Sequence, residues 1–126
     1  MNPDYIFVYG TLKKGYRANY MIEKIARYVD KAKIHGIMYN LGSYPGILEN
    51  SNSFVYGEIY EIKDLDTLKE IDRYEGCDPN DPDSLFVRKR TIAFCDDESQ
   101  ILAFVYFYNR VVEGSPEIHS GIWNKK

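Results

Sequence analysis

Every position of the run Ile101-Leu102-Ala103-Phe104-Val105-Tyr106-Phe107-Tyr108 carries an apolar or aromatic side chain. Successive side chains of a strand point to opposite faces, so this strand presents apolar groups on both. An open sheet with one wet face alternates apolar and polar residues instead. The run therefore predicts a sheet that curls or closes, with helices over part of its outside. The expectation is a small mixed β-barrel with flanking helices, an α+β fold. At 126 residues the chain reads as one domain over 1–126, because two halves would each fall near the size at which cores fail. The core is expected over about 4–109, and the tail over 110–126 reads as loosely held as far as Trp123.

Residues 5–9 read as the opening strand. Ala18, Met21, Ile22, Ile25, Ala26 and Val29 recur at helical spacing. They predict an amphipathic helix over 17–29, with Asn19, Glu23, Lys24 and Arg27 on its wet face. A strand over about 33–39 ends at Gly42-Ser43-Tyr44-Pro45-Gly46, where Pro-Gly favours a type II turn. Residues 54–62 alternate as a strand with two demanding faces. Asp64 is placed to cap a short helix carrying Leu65, Leu68 and Ile71 on one side, and Gly76 is placed to end it. An acidic, proline-punctuated loop over 78–84 leads into two long strands, about 85–94 and 101–108.

Nineteen acidic and sixteen basic residues form no block of like charge, so the electrostatic footprint of a nucleic-acid binder is missing. Twelve tyrosines and six phenylalanines fit a β-rich core, with a few tyrosines available to line a polar-mouthed pocket. Cys77 and Cys95 are too few for a disulfide framework and lack metal-ligand spacing. His35 and His119 support neither a triad nor a metal site. The expectation is a cytoplasmic protein with reduced thiols, no cofactor, no metal and no membrane partner.

Chemistry is suggested by two places. Val8-Tyr9-Gly10-Thr11-Leu12-Lys13-Lys14-Gly15 follows the first strand, and its glycines leave backbone N–H groups thinly covered. Such fixed donors suit a carboxylate or a developing oxyanion. The second is Glu75, between Tyr74 and Gly76 at the end of the short helix. It follows an apolar helix face, and an aromatic neighbour can desolvate it, while Asp72 and Asp78 read as surface residues. Desolvation would raise its pKa towards the range of a working acid/base.

Taken in order, Tyr9-Gly10-Thr11-Leu12, Gly42-Ser43-Tyr44-Pro45-Gly46, the run from Val55 to Ile62, and Ile71-Asp72-Arg73-Tyr74-Glu75-Gly76 resemble the gamma-glutamylcyclotransferase-like family. The resemblance covers about residues 5–108 and is nearest to small bacterial members and gamma-glutamylamine cyclotransferases. It implies closure of 5-oxoproline from a small-molecule γ-glutamyl substrate, without a cofactor. Glu75 matches the family's acid/base, and the N–H groups of Gly10, Thr11 and Leu12 match its substrate-binding loop. Tyr9 fits a pocket wall and the end of a core strand equally well. Tyr44 and Gly46 fit an opposite wall or a plain turn. Tyr108 fits a hydrogen bond to Glu75 or substrate, or core packing. Phe86 departs from the family's usual Tyr-x-Arg, with Arg88 keeping its place. Ser120-Gly121-Ile122-Trp123 is similar to a Ser-Gly-Asp-Trp ending, as a pocket cover or a subunit contact. Monomer and homodimer are both compatible. A non-catalytic small-molecule or protein-binding module using the same cavity is the competing reading.

Overall fold

The computed structural model describes residues 3–125. In chain order the elements are β1 (Asp4–Val8), α1 (Asn19–Glu23), β2 (Ala26–His35), β3 (Ile37–Asn40), β4 (Pro45–Leu48) and β5 (Phe54–Ile62). A single 3₁₀ turn, Leu65–Thr67, then leads into α2 (Leu68–Tyr74), β6 (Phe86–Cys95), β7 (Gln100–Tyr108) and β8 (Glu117–Ile118). Five strands close a barrel in the order β1-β5-β2-β6-β7, and β4-β3-β8 form a second small sheet. All the barrel pairings are antiparallel except the closing one, where β1 meets β7 in parallel at Ile6 and Phe104. Among the described residues no helix is long and apolar enough to cross a membrane.

Closure explains the doubly apolar run. Alternate residues of each barrel strand feed two separate cores. Phe7, Ile34, Ile59, Ala93 and Val105 belong to one cluster, drawn from all five barrel strands. Ile6, Val8, Tyr60, Phe86 and Tyr106 belong to the other, roofed by Ile22 of α1 and Leu68 and Ile71 of α2. From Ala103 to Phe107 both faces of β7 pack against one cluster or the other, while Leu102 near its start is 51 % exposed.

The expected helix over 17–29 shrinks to Asn19–Glu23, and β2 begins at Ala26. Pairing with β5 overrides the helical spacing: residues 26–35 run antiparallel to 62–54, with a bulge between Tyr28 and Asp30. Asn19, expected on a wet face, is part-buried and donates to the Leu12 carbonyl and the Tyr60 hydroxyl. The strand expected over 33–39 is divided at Gly36, between β2 and β3. Pro45 and Gly46 lie in β4, paired with Asn40 and Tyr39, so the bend falls at 42–44 rather than at Pro-Gly.

Asp64 caps its turn as expected, accepting from the Asp66 N–H. Asp72, expected on the surface, is only 5 % exposed. The tail is more firmly held than its sequence suggests. Arg110 donates to the Ser84 and Asp83 carbonyls, β8 pairs with β3, and the Tyr56 N–H donates to the Gly121 carbonyl.

Candidate active site

The loop after β1, the end of α2 and the start of β4 surround a cavity of about 340 Å³, within the size range of small-molecule sites. One wall is Tyr9, Gly10, Thr11 and Leu12. Tyr74 and Glu75, and Tyr44 and Pro45, also line the cavity. Phe86 and Tyr106 lie deep in the cavity, both 2 % exposed, and Arg17 is exposed at its rim.

The glycine loop is built so that its carbonyls are used and its N–H groups are not. The Gly10, Thr11 and Leu12 carbonyls accept from the Lys13 N–H, the Ala18 N–H and the Asn19 side chain. The N–H groups of Gly10, Thr11 and Leu12 meet no acceptor among the described residues. Unpaired donors at buried positions suit a ligand's anionic oxygens. Close packing also dictates Gly10: a Cβ there would stand 2.8 Å from Pro45 Cγ.

Behind this wall the outer half of the loop is tied to the tail. Buried Lys13 donates through Nζ to the Trp123 carbonyl at 2.6 Å, and the Tyr16 hydroxyl donates to the same oxygen at 2.8 Å. Burial lowers the Lys13 pKa, with Glu58 opposing the shift. Trp123 is packed in the barrel cluster and does not line the cavity, so the tail braces the loop from behind instead of covering the pocket.

Glu75 is positioned by the way α2 ends. Gly76 takes φ +66°, the Cys77 N–H returns to the Asp72 carbonyl and the Gly76 N–H to the Arg73 carbonyl. That pair of bonds is a Schellman motif. It leaves Glu75 at the helix C-cap, among the residues that line the cavity. Its carboxyl has no hydrogen-bond or ion-pair partner among the described residues, and burial raises its pKa from 4.5 to about 8. The carbonyl end of the helix, where negative charge is disfavoured, acts in the same direction.

A buried network sits beneath. Arg88 Nη1 donates to both oxygens of Asp72 at 2.8 Å, and the Tyr106 hydroxyl donates to Asp72 Oδ1 at 2.6 Å. The Tyr9 hydroxyl donates in turn to the Tyr106 carbonyl at 2.7 Å. Burial holds the Tyr9 hydroxyl well above its usual pKa, reinforced by Glu75. Tyr106 is raised by burial first, then by its bond to Asp72. The network ties α2, one turn before Glu75, to β6 and β7. Across the cavity, the Thr11 and Tyr74 hydroxyls share a hydrogen bond of 2.6 Å.

The structure thus brings together Tyr9, Gly10, Thr11, Leu12, Tyr44 and Glu75. Tyr108 is not among the lining residues. Its ring packs on Phe86 at 5.3 Å and its Cβ lies close over Gly46, while Tyr106 supplies the hydroxyl-bearing wall. Arg17, Asp72 and Tyr106 had not been singled out from the sequence. Asp72 lies four residues after Leu68 and shares that residue's helix face. Phe86 lines the cavity without a hydroxyl, and Arg88 serves Asp72 on the helix. Away from the cavity, donor atoms of Asp30, Cys95 and Asp97 lie within 4.8 Å of one another. Ser99 already occupies the Asp97 carboxylate through its N–H and hydroxyl.

Residues 6–125 match the profile of the family described as gamma-glutamyl cyclotransferase, AIG2-like. The chain is 35% identical over 109 residues to a Methanocaldococcus jannaschii protein provisionally named a gamma-glutamylcyclotransferase, covering 83% of this chain and 84% of that one. It is 36% identical over 107 residues to the gamma-L-glutamyl-butirosin B gamma-glutamyl cyclotransferase of Niallia circulans, covering 83% and 67%. A crystal structure of an AIG2-like protein from Mus musculus shares the fold, with a TM-score of 0.75, 24% identity, and coverage of 90% and 82%. The chain belongs to the gamma-glutamyl cyclotransferase, AIG2-like family and is an enzyme of the gamma-glutamylcyclotransferase type.

Proposed function

We propose that the protein releases 5-oxoproline and a free amine or amino acid from a small γ-glutamyl amide, with Glu75 as general acid/base. The observation that carries this reading is an unpaired, desolvated carboxyl facing three unpaired N–H groups across one cavity. The Glu75 carboxylate takes a proton from the substrate's α-ammonium. The freed amine attacks the γ-carbonyl carbon, closing a five-membered ring and placing negative charge on the carbonyl oxygen. Glu75 then returns the proton to the γ-nitrogen, the C–N bond breaks as the carbonyl re-forms, and the amine departs. The freed carboxylate takes the second proton from the ring nitrogen, giving the neutral lactam of 5-oxoproline, and passes it to the departing amine, which leaves as an ammonium. Because nucleophile and carbonyl belong to one molecule, holding the substrate folded supplies much of the rate.

The N–H groups of Gly10, Thr11 and Leu12 bind the α-carboxylate or the γ-carbonyl oxygen, where preorganised donors are most effective. Tyr9 and Tyr44 wall the glutamyl chain. Tyr108 acts through Phe86 and Gly46, behind that wall. A pKa near 8 leaves Glu75 mostly protonated at neutral pH. The bound ammonium pulls it back towards the charged form, so the base is generated where its proton donor arrives. None of these steps calls on a cofactor. The two cysteines, free and buried, support a cytoplasmic setting.

Mass-spectrometric detection of 5-oxoproline from γ-glutamyl amines, γ-glutamyl dipeptides and glutathione tests the reading. Product is expected from at least one substrate, falling by roughly a hundredfold or more in Glu75→Gln. Undiminished turnover in that variant would remove Glu75 from the mechanism.

A further inference from the structure

The cavity has one basic and one acidic lining residue, Arg17 and Glu75. They stand at different depths. Glu75 lies within the pocket, whereas Arg17 is exposed at the rim, where Nη2 donates to the Ser43 carbonyl at 2.7 Å. That bond is the only one recorded for its guanidinium, and no carboxylate pairs with it among the described residues. A guanidinium has five N–H donors in a planar fork. The Ser43 bond fixes its direction and leaves most of the fork open.

The proposed reaction determines which part of a substrate passes this rim. The glutamyl half must fold on itself and reach both Glu75 and the N–H groups of Gly10–Leu12, so it occupies the closed end. The scissile nitrogen faces Glu75, and its substituent must point to water in order to leave. That substituent therefore meets Arg17. Building on the cyclotransferase reading, we propose that Arg17 is a specificity residue that receives a carboxylate carried by the leaving amine. The preferred substrates are then γ-glutamyl amino acids or peptides, in preference to γ-glutamyl monoamines and polyamines.

Charge bookkeeping favours the same class. The glutamyl half brings one carboxylate and one ammonium, which the loop N–H groups and Glu75 can serve between them. A leaving group with its own carboxylate adds one negative charge, and Arg17 is the one cationic side chain lining the cavity to meet it. A polycationic leaving group would instead carry like charge past the rim. Planar guanidinium–carboxylate pairing is directional. Its exposure to water limits the gain to about fivefold in kcat/KM.

The test uses a matched pair, γ-glutamyl-alanine and γ-glutamyl-ethylamide, which differ only by the carboxylate on the leaving amine. The wild-type protein is compared with Arg17→Met and Arg17→Lys, with 5-oxoproline as the readout. The expected result is a wild-type preference of about fivefold for γ-glutamyl-alanine. The preference collapses to near unity in Arg17→Met and is partly restored in Arg17→Lys. Turnover without a wild-type preference, or a preference that survives in Arg17→Met, overturns the assignment and leaves the reaction standing. An equal loss on both substrates in Arg17→Met also overturns it, because Arg17 would then serve the glutamyl half. No product from either substrate with the wild-type protein overturns the cyclotransferase reading, and this inference with it.

Discussion

Replacing Glu75 by glutamine should cut turnover by roughly a hundredfold or more and yet stabilise the protein in alkali. In the folded chain burial raises the Glu75 pKa from 4.5 to about 8, so the folded state holds this proton more tightly than the unfolded state. Stability from this residue is therefore greatest below about pH 4.5, falls as pH rises towards about 8, and is level above. The whole interval corresponds to about 5 kcal/mol at ~1.36 kcal/mol per pH unit. Water entering the open cavity relaxes the charged form, which reduces the effect to about 2–3 kcal/mol. Glutamine matches the shape of the carboxyl and does not titrate. Urea unfolding of both proteins near pH 5, 7 and 9 reads the difference directly. The variant should differ from wild type by under ~1 kcal/mol near pH 5 and exceed it by about 2–3 kcal/mol near pH 9. A difference that stays constant with pH, or grows towards acid, would refute the claim that Glu75 is held protonated by desolvation.

Other consequences can be measured alongside. The acid limb of kcat/KM should rise to a plateau with an apparent pKa near 8, while the limb of kcat lies lower, because bound ammonium favours the carboxylate; pH–rate profiles with one good substrate decide this. Asp72→Asn leaves Arg88 without its counter-charge and should cost about 3 kcal/mol in chemical denaturation. Gly76→Ala forces a side chain into a left-handed φ of +66° with Leu85 Cβ 3.3 Å away. A loss of about 1 kcal/mol is expected, together with a larger fall in kcat than that destabilisation explains, read from kinetics and melting of the same preparation. Lys13→Met removes one of two donors to the Trp123 carbonyl and should raise KM severalfold with kcat little changed.

Legibility in the sequence followed how locally each feature is decided. The doubly apolar run of β7 announced closure because no partner is needed to see that both faces are apolar. The end of α2 was equally open, since Asp64, Leu68, Ile71 and Gly76 mark a cap, a face and a stop within thirteen residues. The segment that became β2 misled for a definite reason. Its bulge at Val29 inserts a residue into the two-residue alternation, so Ala26 and Val29 fell into register with the helical spacing of Ile22 and Ile25. Asp72 was hidden by its own charge, because its partner Arg88 lies sixteen residues away on another element. Tyr106 and Tyr108 share a strand face and the same chemistry, and only the packing of Tyr108 over Gly46 separates them. Arg17 had no local signal, as the rim it occupies exists only once the glycine loop meets the bend at 42–44.

The brace between Lys13 and Trp123 spans 110 positions of the chain, which sets a clock on biosynthesis. During translation the glycine loop emerges 110 residues ahead of its brace. At roughly 5–20 residues per second, the intervening stretch takes between about five and twenty seconds to make. β1 likewise waits for β7, its neighbour across the barrel closure. Until β7 is made the barrel cannot close, and both clusters lack the residues that β6 and β7 bring to them. A ribosome stalled short of residue 123 would display a loop whose donors are present but unbraced, and ligand-binding activity on the ribosome should appear abruptly, once residue 123 has emerged, instead of growing with length.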